Sequence, residues 1–304
     1  MTLHIKTPLV ASRPLSVITG SSVWLKLDAL QPSGSFKLRG IGHACETYLA
    51  QGARRFISSS GGNAGLAVAY AGRLLKVPVT VVIPETTTAR AKELLCLENA
   101  EVVVHGASWQ EANDFAQSLL GAEDAFIHPF DDPLLWHGHA SLIDEVASCG
   151  LKPNAIVLSV GGGGLLSGVV EGLHRNGWNN VPAIAVETAG AESFHEAVTA
   201  GHPVELARIS SIATSLGAKR VCEKAVGWSK EHPIRSVVVS DQSALSASER
   251  FLADHRLLVE PACGASLALA YEKSPELEGL DTILIVVCGG ATATLDQIRA
   301  WARQ

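Results

Sequence analysis

Residues 155–176 read AIVLSVGGGGLLSGVVEGLHRN: a short apolar run, four successive glycines, then an amphipathic run. A brief aliphatic stretch bounded by glycine predicts a buried strand at 155–160, and helical spacing of the apolar residues predicts a helix over 165–176. The glycines between them let the backbone approach an anion without interference from Cβ atoms, and the following helix aims its first N–H groups at the same spot. The same rhythm runs outward in both directions. Before it, strands are predicted at 23–27, 56–58, 79–83, 102–104 and 125–127, with helices at 36–51, 63–75, 89–97, 109–120 and 139–149. After it come strands at 183–186, 237–239 and 283–287, with helices at 244–254, 264–271 and 295–303. This alternation is the pattern of an α/β protein with open, mostly parallel sheets. HPFDDP (128–133) is dense in turn formers and is expected to carry the chain out of the first block of strands.

Composition narrows the function classes. The chain has 304 residues, 47% of them apolar, which is enough for a large core and two lobes. A net charge of −6 without Lys/Arg runs argues against nucleic acid. No apolar stretch reaches the roughly 18 residues of a membrane helix, and residues 1–20 lack the order of a signal peptide. A soluble, cytoplasmic protein is expected. Six scattered cysteines without CxxC pairs read as free thiols in a reducing compartment.

Three stretches carry chemistry. SGSFKLRG (33–40) puts Lys37 at a loop–helix junction, SSSGGNAG (58–65) opens a helix with small polar residues, and SVGGGGLLSG (159–168) is the anion loop. A single lysine reads as a solvated side chain. Together with the two loops it reads as a Schiff-base lysine facing a phosphorylated aldehyde cofactor. The glycine loop alone also admits a nicotinamide dinucleotide, since Glu187 follows at about the distance of a ribose-binding acid. Asn63 reads both as the N-cap of its helix and as a hydrogen-bond partner beside the lysine. Cys288, at the end of the strand predicted at 283–287, is either a buried thiol or a group facing the crevice at the strand ends.

These stretches, with HPFDDPLLWHGHAS (128–141), VETAGAESFH (186–195), VEPACGAS (259–266) and VVCGG (286–290), resemble the catabolic L-serine/L-threonine dehydratases. These are pyridoxal phosphate enzymes of the tryptophan synthase β-like fold, fold type II. The likeness spans nearly the whole chain in matching order. It implies two open-sheet lobes, a small one (31–133) inserted in a large cofactor lobe (1–30 and 134–304). It implies that Lys37 forms the internal aldimine, Phe36 packs near the ring, and Gly161, Gly162, Gly163 and Gly164 with the Leu165 amide hold the phosphate. Asn63 would bond the ring hydroxyl and Cys288 would face the pyridine nitrogen. Ser60, Gly62, Asn63 and Ala64 would bind the substrate carboxylate. A monovalent cation, potassium, is implied near Glu187, Ser193 and the carbonyls of Ala191, Leu216 and Ala218, and a homodimer is implied as the assembly.

The resemblance also implies elimination from serine and threonine to pyruvate, 2-oxobutyrate and ammonia, with Lys37 as the Cα base and the cofactor phosphate as acid for the departing hydroxyl. A neutral Cys288 thiol makes the ring a weaker electron sink than a carboxylate partner would, favouring elimination over transamination. Similar serine racemases place a serine at the position of Gly61 to work the opposite face of Cα, so the resemblance implies that a glycine there disfavours racemisation, and its backbone freedom is expected to leave the loop mobile. His137 and His139 are expected to be structural. Without a C-terminal effector-binding domain, feedback by isoleucine is not expected. The rival readings are a β-replacement synthase of the same fold, a nicotinamide oxidoreductase, and an amino acid-binding protein that retains the pocket.

Overall fold

The structure, a computed structural model, describes residues 2–303. Its strands are β1 (Leu9–Ala11), β2 (Ser22–Lys26), β3 (Arg55–Ser58), β4 (Val79–Ile83), β5 (Glu101–Val104), β6 (Asp124–Phe126), β7 (Ala155–Ser159), β8 (Ala183–Thr188), β9 (Ile234–Val239) and β10 (Thr282–Val286). They form two sheets, one of six strands in the order β1-β2-β10-β7-β8-β9 and one of four in the order β5-β4-β3-β6. Every pairing is parallel except β1 with β2. The central strands explain themselves: VTVVI in β4 and AIVLS in β7 are buried at every position, as parallel strands covered by helices on both faces must be.

Three packed clusters follow from this layout. Leu25, Ile156, Leu284, Phe194 and Phe251 belong to the core around the six-stranded sheet. Ile41, Phe56, Leu66 and Val81 fill one face of the four-stranded sheet, and Ile57, Val82, Ala112 and Ala116 fill the other. Half-buried Trp136 packs against both large cores.

The chain crosses between the sheets twice, from β2 to β3 and from β6 to β7, and the boundaries expected at 31 and 133 fall within these crossings. Each crossing carries a helix, Lys37–Ala50 and Pro133–Ser148. The two helices approach closely: a Cβ at Gly40 would lie 2.5 Å from the Leu135 carbonyl oxygen, and one at Gly138 would lie 2.5 Å from that of Arg39. The second helix starts six residues earlier than 139, the start read from sequence. Asp132 accepts from the Leu134 N–H at 2.8 Å and Pro133 occupies the first turn, so the turn formers of HPFDDP cap the helix. The sequence reading also passes over the three-residue β1 and the helices Arg13–Thr19, Ser193–Ala200 and Glu223–Glu231, which bury only one to three side chains each and so display little apolar spacing.

Candidate active site

β2, β10 and β7 are neighbours whose chain order reverses, and the segments leaving β2 and β10 meet where Ala29 N–H donates to the Val287 carbonyl at 2.9 Å, at the strand ends where open α/β sheets bind ligands. β7 leads into the glycine loop, where Gly163 takes φ +87° and starts the helix Gly164–Arg175. An L side chain is strained in that conformation. The helix has no side-chain N-cap, so its leading N–H groups are available to an anion. A Cβ at Gly162 would fall 2.3 Å from the Phe130 ring, so the loop is pressed against the 128–132 crossing.

Lys37 begins its helix half-buried, with its Nζ donating to the Pro129 carbonyl at 2.5 Å. The amine lies 5.2 Å from the centroid of the Phe36 ring. Burial lowers its pKa from the ordinary lysine value to about 8, while the fields of Cys288, Glu260 and Cys222 pull the other way. Desolvation of the ammonium decides the sign, leaving far more free amine near neutral pH than a surface lysine has.

The segment after β10 stitches the site together. The Cys288 carbonyl accepts from the Phe36 N–H at 3.0 Å, the Gly290 N–H donates to the Gly34 carbonyl at 3.0 Å, and the Ala291 N–H donates to Asn63 Oδ1 at 3.0 Å. Cys288 itself is buried against Cys263, and hydrogen bonding to that thiol, together with burial, raises its pKa well above the usual value, so it stays a neutral thiol.

Phe36 and Cys288 are thus joined by a hydrogen bond, Asn63 is tied to the same segment through Ala291, and the glycine loop reaches Lys37 through Pro129 and Phe130. Asn63 is the first residue of the helix Asn63–Leu75 and not its cap; Gly62 holds the cap position and no side chain caps the helix. The Asn63 amide is withdrawn from capping because other groups hold it. Ser60 Oγ accepts from the Gly62 N–H at 3.3 Å, and Ala64 is buried in the first turn. His139 is fully buried and accepts from the Gly40 N–H at 3.2 Å, while exposed His137 pairs with Glu171.

Residues 1–289 match the family described as pyridoxal-phosphate dependent enzyme. The chain belongs to that family. It is 50% identical over 99% of its length, and 95% of the relative's, to the Homo sapiens protein called L-serine dehydratase/L-threonine deaminase. The Mus musculus protein of the same name is 49% identical over 98% of this chain and 94% of its own. Among solved structures, an L-serine ammonia-lyase from the fungus Rhizomucor miehei superposes with a TM-score of 0.96 at 34% identity, covering 100% of this chain and 99% of its own. The chain therefore has the fold type II architecture, in which the nicotinamide reading of the glycine loop has no place.

The residues of this pyridoxal-phosphate enzyme fit its cofactor: a recessed lysine amine of lowered pKa and an uncapped helix start behind four glycines answer the aldehyde and the phosphate. The residues named for the cation lie in two segments. Glu187, fully buried, accepts from the Phe194 and His195 N–H groups, each at 2.8 Å, and burial still raises its pKa to about 8. Ser193 Oγ beside it is buried without a hydrogen-bond partner, and Ala191 closes the intervening turn by donating to the Thr188 carbonyl at 2.9 Å. Leu216 and Ala218 lie on the turn that packs against Gly161, and the stretch before it reaches the Glu187 turn through Ser210 N–H to the Gly190 carbonyl, 3.0 Å.

One buried acid at the site went unassigned in the sequence. Glu260 sits beside Asn63 and within the field of Lys37. Its only signal was its place before Pro261 in VEPACGAS, which reads as a helix start.

Proposed function

We propose that this enzyme is a lyase that removes water and ammonia from L-serine and L-threonine, yielding pyruvate and 2-oxobutyrate. The observation that carries the reading is near-full-length identity of about one half to relatives called L-serine dehydratase/L-threonine deaminase. Bound pyridoxal phosphate supplies the electron sink that makes the substrate Cα proton removable. Lys37 would hold the cofactor and would supply the base for that proton; a pKa of about 8 suits an amine that must act as nucleophile and as base. Phe36 would pack near the ring, and Gly161, Gly162, Gly163, Gly164 and the Leu165 amide would hold the phosphate. Asn63 would meet the ring hydroxyl, and the neutral Cys288 thiol would face the ring nitrogen. Ser60, Gly62, Asn63 and Ala64 orient the substrate carboxylate. Potassium beside Glu187 would satisfy the unpartnered Ser193 hydroxyl and the buried carboxylate. In this reading residues 31–133 form the small lobe of a cytoplasmic homodimer.

The test is 2-oxo acid release from L-serine and L-threonine by cofactor-loaded protein, with and without potassium, beside D-serine and Lys37→Ala. Pyruvate and 2-oxobutyrate are expected from the L-amino acids only, and only with Lys37 present. Amino acids that perturb the cofactor spectrum without releasing 2-oxo acid would replace this reading with that of a binding protein.

A further inference from the structure

Glu260 occupies the N-cap position of the helix Pro261–Tyr271, yet its side chain makes no capping hydrogen bond. A glutamate is a poor cap, and here its carboxyl turns away from the helix. It is buried, and its Oε1 accepts from Asn63 Nδ2 at 2.8 Å. The chain leaves room for it: Gly290 has φ +136°, and a Cβ there would lie 2.4 Å from Glu260 Cγ. The other end of the same amide is also taken, because Asn63 Oδ1 accepts the Ala291 N–H at 3.0 Å. An asparagine amide has two donor hydrogens and one acceptor oxygen. With its oxygen and one hydrogen committed, one N–H remains, and its nearest partner is Ser215 Oγ at a loose 3.4 Å.

We propose that Glu260 is a positioning residue that, with the Ala291 amide, fixes the rotation of the Asn63 side chain so that it can only donate toward the cofactor ring. The inference deepens the elimination reading and rests on it for its kinetic part. A donor-only partner favours negative charge on the ring oxygen. A flipped amide would turn its carbonyl toward that oxygen and favour the protonated form. Burial brings the Glu260 pKa up to about 7; protonated or ionised, its carbonyl oxygen offers Asn63 the same acceptor. Acceptance, and not charge, is the property required.

The experiment compares Glu260→Ala, Glu260→Gln, Asn63→Ala and the Asn63→Ala/Glu260→Ala double variant as cofactor-loaded proteins. It reads the visible absorption band of the bound cofactor, then kcat and KM for L-serine. Glu260→Ala should shift the band in the same direction as Asn63→Ala and lower kcat by about 10- to 100-fold, the scale of a misplaced active-site group. The double variant should be no worse than Asn63→Ala alone, and Glu260→Gln, which keeps an acceptor oxygen, should lose much less. An unshifted band in Glu260→Ala, losses that multiply in the double variant, or a Gln variant as impaired as the Ala variant would each overturn the proposal. Where Glu260→Ala does not fold, Glu260→Met fills the volume without accepting a hydrogen bond and takes its place. The band is read without turnover, so a wild-type protein that binds cofactor but releases no 2-oxo acid defeats the elimination reading while the band comparison still decides Glu260.

Discussion

At Gly61 the backbone does not adopt the left-handed conformation that would demand glycine. The constraint is a neighbour. A Cβ there would lie 2.7 Å from Thr87 Cγ2, on the turn that follows β4, and 3.1 Å from Cγ2 of Ile83, the last residue of β4. The absent side chain lets the 58–65 loop sit against these residues, so the loop's position depends on a contact more than on backbone freedom. Gly61→Ala is therefore expected to cost about 1–3 kcal/mol of overpacking and to lower turnover. Adding Thr87→Ser, which deletes the methyl in the way, should recover part of both. Denaturation midpoints and kcat for the three variants check this, and an Ala variant equal to wild type in stability and rate would remove the contact as the constraint.

The helix that begins with Lys37 is anchored two residues later. Arg39 is fully buried; its Nε donates to Asp28 Oδ2 at 2.6 Å, and its Nη1 and Nη2 donate to the two Glu145 oxygens at 2.7 and 2.9 Å. Nη2 also reaches Asp28 Oδ1 and Thr7 Oγ1, Nη1 reaches Ser141 Oγ, and Lys26 Nζ donates to Glu145 at 2.5 Å. These partners come from the N-terminal segment, the end of β2, the turn after it and the helix Pro133–Ser148, so one guanidinium ties both sheet crossings to the element that carries the lysine. Removing one partner of a buried ion pair strands the others. Arg39→Met should cost about 3–5 kcal/mol, and Arg39→Lys less, because it keeps the charge but loses the fork. Pairing Arg39→Met with Asp28→Leu should cost less than Arg39→Met alone, since the most deeply buried carboxylate is then no longer stranded. Urea denaturation of the three variants reads the order, and a double variant less stable than Arg39→Met would contradict it. None of this was legible beforehand. An arginine two places after a lysine on a helix reads as a solvated charge, and its partners lie 11 to 106 residues away in sequence.

Across the whole molecule, what the sequence carried was periodic or local. The helices Asn63–Leu75 and Ala89–Leu97 and the strand β4 fall at the limits their apolar spacing predicts, and the glycine loop announces its own geometry. What it did not carry needs distant chain: the antiparallel three-residue β1, which exists only because β2 lies beside it, the buried ion pairs, and the meeting of Asn63 with Glu260 across 197 residues. The functional pieces are divided in the same way. Lys37 and Asn63 lead helices on either side of β3, in the four-stranded sheet, while the glycine loop and Cys288 leave the six-stranded sheet. A ligand held by all four binds the assembled pair of sheets and not the unfolded chain, so pyridoxal phosphate should raise the melting temperature of the apoprotein by several degrees. Saturation at one hundred times the dissociation constant is worth about 2.7 kcal/mol. In the proposed role of Lys37, capture needs its neutral amine, so the rate of cofactor uptake should rise with pH through about 8 and level off above it. Lys37→Ala should keep only a small thermal gain and lose the pH dependence. A midpoint at the ordinary lysine value near 10.4 would mean that the amine is not desolvated, and an equal thermal gain in Lys37→Ala would mean that another group holds the cofactor.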